Sequence, residues 1–187
     1  STLESLSGLD GLERVGGTLE IDGNPMLADA NMPSLVEVGE DFYWWGPDRL
    51  VDFHGLEGLE VVGDRILLQS DALSLTGLDN LRDAHDVVVQ FSDNLVDLTG
   101  LGALTSINGL AVGECDGLWS TRGVSALEDV RWLYVVGNPS LREIDLPSLR
   151  AANELHIEDN PSLPVCEIDQ LVEQLAAAGS FPSLRIA

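Results

Sequence analysis

The chain contains no lysine: its nine basic residues are all arginines, set against 32 acidic residues for a net charge of −23. Without lysine there is no Schiff-base chemistry and no phosphate-loop lysine. So few positive charges exclude a nucleic-acid partner, because a phosphate backbone would be repelled. Anionic membrane surfaces are disfavoured for the same reason. Cysteine is scarce, with only Cys115 and Cys166 in 187 residues. No paired-cysteine, HExxH or EF-hand spacing occurs, so neither a metal nor a cofactor is expected. No apolar run approaches the roughly 18 residues of a membrane span, and no membrane insertion is expected. No signal-like segment opens the chain, and Ser1-Thr2 reads as a cut inside a longer protein.

What is present is a repeat. Apolar residues make up 44% and charged residues 22%, enough for a packed core. The pattern Leu-x-x-Leu-x-Gly-Leu-x-x-Leu runs through Leu3, Leu6, Leu9 and Leu12, then Leu50, Phe53, Leu56 and Leu59, then Leu95, Leu98, Leu101 and Leu104. Its final leucines, Leu12, Leu35, Leu59, Leu81, Leu104, Leu127 and Leu149, follow one another at 22 to 24 residues. A fixed period of this size means stacked repeats, since one alone cannot bury its apolar side. Three residues after each leucine stands a small or β-branched residue, from Val15 to Ala152. A short alternating segment follows, such as Leu19-Glu20-Ile21 or Leu133-Tyr134-Val135, whose outer residues are expected inward on a strand. In the third copy the register is ambiguous, and Ile66 and Leu68 are taken as inward because the alternative buries Arg65. Polar turns such as Asp159-Asn160-Pro161 end the segments.

The expected fold is an all-β solenoid, a right-handed parallel β-helix of about seven coils of about 23 residues. It forms one domain over 1–187, with coils in 3–165, a capping helix in 167–178 and a tail or partial coil in 179–187. The helix follows from the spacing of Ile168, Leu171, Val172 and Leu175, with Gly179 as its stop. Cys115 occupies the turn position filled elsewhere by Asn24, Asn138 and Asn160, and is read as a buried structural thiol. A bond to Cys166 would span two coils, roughly 10 Å, against a usual Cα limit of about 7 Å.

The pattern Leu-x-Ile-x-x-Asn-Pro-x-Leu, preceded by Leu-x-x-Leu-x-x-Val, resembles the leucine-rich repeat of receptor L domains, and Leu155-His156-Ile157-Glu158-Asp159-Asn160-Pro161-Ser162-Leu163 is its cleanest copy. The copies at Leu133–Leu141 and Leu19–Leu27 are close to it. The resemblance covers about residues 3 to 165. Lacking lysine and poor in cysteine, the chain is more similar to bacterial surface and secreted members than to receptors. The resemblance implies an extracellular or cell-surface recognition module and no catalytic activity.

The three histidines, His54, His85 and His156, cannot converge on one metal within this frame. Isolated acidic turns offer two or three oxygens, short of the six to eight that calcium takes. The informative feature is the outward row of the sheet: Glu20, Tyr43, Leu67, Val88, Ala111, Tyr134 and His156. The row two residues on reads Asp22, Trp45, Gln69, Gln90, Gly113, Val136 and Glu158, and Trp132 stands two before Tyr134. The middle of these rows carries almost no charge, forming a strip roughly 20 Å long with aromatics at both ends. Ala111 and Gly113 leave a shallow trough beside the second aromatic group. The candidate ligand-binding residues are Tyr43, Trp45, Leu67, Val88, Gln90, Trp132 and Tyr134. Their ligand is a protein or a glycan, or the face serves self-association as part of a structural solenoid. A nucleic-acid mimic and a β-helix polysaccharide-active enzyme are the weaker alternatives.

Overall fold

The three-residue spacing of the leucines has a local cause. In the structure, a computed structural model describing residues 3–46 and 49–187, Leu56 donates its N–H to the Phe53 carbonyl (3.1 Å) and Leu59 to that of Leu56 (2.9 Å). The reading of Ser1-Thr2 lies outside the described residues. The same pair of bonds recurs at Leu78 and Leu81, and at Leu101 and Leu104. Each bond closes a tight turn, so every third side chain points inward. All six of these leucines are buried, each contributing about 2 kcal/mol. Glycine takes the third place of the first turn because the stack is too close for anything else. At Gly100, φ is +120°, and an added Cβ would lie 2.1 Å from the Leu75 carbonyl oxygen. At Gly77, φ is +108° and the corresponding distance, to the Phe53 oxygen, is 2.0 Å.

The turns deliver the chain to parallel strands. These are β1 (Arg14–Val15), β2 (Leu19–Asp22), β3 (Glu37–Val38), β4 (Phe42–Trp45), β5 (Val61–Leu68), β6 (Asp83–Gln90), β7 (Ser106–Gly113), β8 (Asp129–Val136) and β9 (Ala151–Glu158). The helix α1 (Val165–Ala177) and β10 (Ser183–Ile186) complete the order. The strands pair in parallel into one sheet, and the fold is an all-parallel β-solenoid of about six turns with a short C-terminal helix. Phe42, Ile66, Val87, Leu110, Leu133 and Leu155 pair in one inward row, and Trp44, Leu68, Val89, Val112, Val135 and Ile157 in a second. All twelve are buried, Ile66 and Leu68 included.

The corner before each inward row differs along the stack. Three residues separate Val15 from Leu19, Val38 from Phe42 and Val62 from Ile66, whereas two separate Ala84 from Val87 and its counterparts down to Ala152 and Leu155. The extra residue breaks the early strands in two and shifts the register of β5 against β6 between Val62 and Arg65, as a bulge does. Glycine fills it because the bulges stack: a Cβ on Gly63 would lie 2.2 Å from the Gly39 oxygen, and one on Gly39 2.6 Å from that of Gly16.

At the opposite end of the strands a side-chain ladder joins neighbouring rungs. The Asn138 amide donates to Val136 O (3.3 Å) and Val112 O (3.1 Å), while its oxygen accepts the Cys115 N–H (3.2 Å). Asn160 repeats the pattern, accepting the Asn138 N–H at 3.0 Å. Cys115 takes the asparagine position with a weaker Sγ bond to Gly113 O (3.2 Å). Ser92 carries the ladder on, bonding Gln90 O and accepting the Ser70 N–H. Burial pushes the Cys115 thiol up to about 11, so it is inert at neutral pH. Both cysteines are free; Cys166 is exposed.

The helix closes the core. It begins at Val165, directly after Pro164, whose fixed φ of −65° leads the chain into its first turn. Ile168, Leu171 and Leu175 are buried, and the Gln174 amide donates to the Leu146 and Leu149 carbonyls of the last leucine arc at 2.8 and 2.7 Å. Gly179 follows with φ +84°, and β10 then pairs with β9.

Candidate functional site

The strand registers build the outward face residue by residue. Glu20 pairs with Tyr43, Tyr43 with Leu67, Leu67 with Val88, Val88 with Ala111, Ala111 with Tyr134 and Tyr134 with His156. In the neighbouring row Asp22 pairs with Trp45, and Gln90, Gly113, Val136 and Glu158 pair in succession. Tyr43, Trp45, Val88, Gln90, Trp132 and Tyr134 are half-buried, as expected for side chains lying side by side on a sheet. Leu67 differs: it is only 9% exposed, sitting in the row between Tyr43 and Val88, and it contributes little accessible surface.

The aromatics form two separate groups. Tyr43 and Trp45 meet edge to face, with ring centroids 5.5 Å apart. Burial and a hydrogen bond to Asp41 raise the Tyr43 hydroxyl above the usual phenol range. The Trp45 indole nitrogen is buried without a hydrogen-bond partner among the described residues. Across the strip, Trp132 and Tyr134 lie 5.0 Å apart, and Tyr134 stacks in parallel on His156 at 4.3 Å. The Tyr134 hydroxyl donates to Glu154 (2.9 Å), a bond that raises its pKa further than burial does. The Trp132 ring rests on Gly109, where an added Cβ would lie 1.9 Å from the indole. Gly109 is thus a neighbour of the candidate residues that the repeat frame does not reveal, because only the ring's direction marks it out.

Between the groups the face is concave. A depression of about 230 Å³ is lined by Val88, Gln90, Ala111, Gly113, Glu114, Tyr134 and Val136. It coincides with the trough expected from Ala111 and Gly113. Beyond Glu114 lies a second depression of about 590 Å³, lined by Asp116, Pro139, Asp159 and Asn160 among others.

A polar cluster also sits on the outward face. Asp86 is 7% exposed, accepts a 2.8 Å bond from Asn108 and lies 3.8 Å from Arg65. It belongs to the row of Gly109, Trp132 and Glu154. Sequence reasoning followed that row only at Trp132 and so missed the buried carboxylate. The signal was available as Arg65 and Asp86, opposite charges at matching corner positions.

The remaining candidates are dispersed. His54 lies beside Asp52 and Glu57 at 3.6 and 3.7 Å, His85 is exposed, and His156 is engaged by Tyr134. Among the described residues no group of three metal-ligating side chains converges, and no helix is long and apolar enough to cross a membrane. Comparison with known family models, curated proteins and solved structures finds no match to the chain.

Proposed function

We propose that the chain is a non-catalytic recognition module whose outward sheet face binds a protein or glycan, and that it works on a bacterial surface or after secretion. The observation carrying this reading is the uncharged row from Tyr43 through Leu67, Val88 and Ala111 to Tyr134, in a chain of net charge −23. Leaving such a row without carboxylates has a use if something apolar or aromatic seats on it. Aromatics at both ends supply the anchors that concentrate binding energy. We assign the solenoid to the leucine-rich-repeat, receptor-L-domain type, right-handed with seven repeat copies. The repeated leucine arcs and the Asn-Cys ladder support that assignment.

The double substitution Tyr43→Ser, Tyr134→Ser tests the reading. Ligands are first selected on the native chain from a glycan array and a displayed-peptide library. The double variant is expected to lose at least about tenfold in affinity while its thermal midpoint stays within a few degrees. The competing reading, a self-assembling structural segment, is favoured by the same uncharged row. It predicts instead that the native chain is an oligomer and that the double variant dissociates.

A further inference from the structure

The depression between β6 and β8 is not uniform in chemistry. Its floor is aliphatic, from Val88, Ala111 and Val136, and Tyr134, backed by His156, forms one wall. Glu114 lines it as well, and its carboxylate lies over Gly137, where a Cβ would be 2.6 Å from the Glu114 oxygen. Glu114 also borders the larger depression that holds Asp116 and Asp159. None of these three carboxylates makes an ion pair among the described residues, whereas Glu37, Glu60, Asp86, Asp97 and Glu158 each face an arginine. The turn position of Glu114 has positive φ (+52°), as have its equivalents Phe91 (+51°) one rung earlier and Asp159 (+54°) two rungs later; Gly23, Gly46 and Gly137 hold that place in other rungs. Glu114, which lines the slot, is therefore held in a backbone conformation suited to glycine.

We propose that this slot takes a lysine or arginine side chain from an extended segment of a basic partner protein. The aliphatic stem lies on Val88, Ala111 and Val136, and the cation sits between the Tyr134 ring and the Glu114 carboxylate. Asp116 and Asp159 lie along the continuation of the segment. The volume suits one long side chain, and the apolar floor with a single unpaired acid in its lining matches a stem with a charged head. A net charge of −23 draws a basic partner toward the whole surface, and the slot supplies the specific seat.

The proposal rests on the reading of the sheet face as a recognition surface. It is tested by NMR titration of the full chain in about 0.15 M salt, where charges are screened beyond about 8 Å. The probes are a peptide of alternating lysine and serine, the same peptide with norleucine for lysine, and cellohexaose. The lysine peptide is expected to move the amide signals of Gln90, Ala111, Gly113 and Glu114 and to bind about tenfold tighter than the norleucine peptide. Glu114→Gln should erase that preference, and Ala111→Leu, which fills the floor, should abolish the shifts. Lysine-peptide shifts scattered over the acidic surface and indifferent to both substitutions would overturn the proposal. Equal or stronger effects on the same signals from norleucine peptide or cellohexaose would also overturn it, while leaving the recognition reading standing. Silence from all three probes would refute the slot, and the Tyr43→Ser, Tyr134→Ser variant would then judge the face on its own.

Discussion

The rungs of β1/β2, β3/β4 and β5 and the rungs from β6 to β9 share one inward lattice and differ by one residue at one corner. In the first group that residue bulges, and side chains repair the ladder: the Asp41 carboxylate accepts the Arg65 N–H at 3.2 Å. In the second group the strands run unbroken, and Asp86, Gly109, Trp132 and Glu154 pair across as an additional outward row. The core tolerates either corner because the extra residue points away from it. The outward face does not, since only the unbroken rungs give Trp132 a platform on Gly109 and put a third row beside the slot. The difference teaches that the inner rows specify the solenoid, while the corner length decides where a wide surface can be built.

The bulged rungs break most easily at their glycine column. Gly63→Ala places a Cβ 2.2 Å from the Gly39 oxygen and should cost about 3 kcal/mol or more, read by urea unfolding. The unbroken rungs carry a pH liability instead. The Cys115 thiol has a folded pKa of about 11 against an ordinary 9.0, so the unfolded chain loses its proton first. The stabilisation is therefore fully present below about pH 9 and is lost as pH rises toward 11. It amounts to about 2 to 3 kcal/mol at most. Thermal midpoints across that range should fall for the native chain and less steeply for Cys115→Ala. Next comes Gly109→Ala, which evicts the Trp132 ring; about 1 to 2 kcal/mol should be lost, with the aromatic circular dichroism altered. The smallest effects lie at exposed positions. Glu114→Gly relieves a positive φ and should gain about 1 kcal/mol, while His85→Ala, at an exposed corner, should shift the unfolding midpoint by less than about 0.5 kcal/mol in free energy.

Much of this was legible in the sequence because a solenoid repeats its physics. The period of 22 to 24 residues located every arc, and alternation pointed to the inward members of the strands; where Ile66, Leu67 and Leu68 stand together, the cost of burying Arg65 decided for Ile66 and Leu68, both of which are buried. Asn24, Cys115, Asn138 and Asn160 marked the ladder by position, but Ser70 and Ser92 escaped because serine is ordinary in any turn. The ambiguity at the third copy had a cause in plain sight, the additional residue between Val62 and Ile66. What sequence could not supply was side-chain direction. The stacking of Tyr134 on His156, the seat of Trp132 on Gly109 and the covering of Leu67 depend on rotamers and on register together.

The claim that the sheet face is open to a ligand is tested most directly by the solution mass, measured by light scattering after size exclusion at low and high salt. At low salt, repulsion between chains of charge −23 opposes association; at high salt it is screened and apolar contacts are strengthened. The account predicts a monomer of 20.1 kDa in both conditions. A dimer that strengthens with salt and dissolves in the Tyr43→Ser, Tyr134→Ser variant would contradict it, and would make the face a contact between copies of the chain.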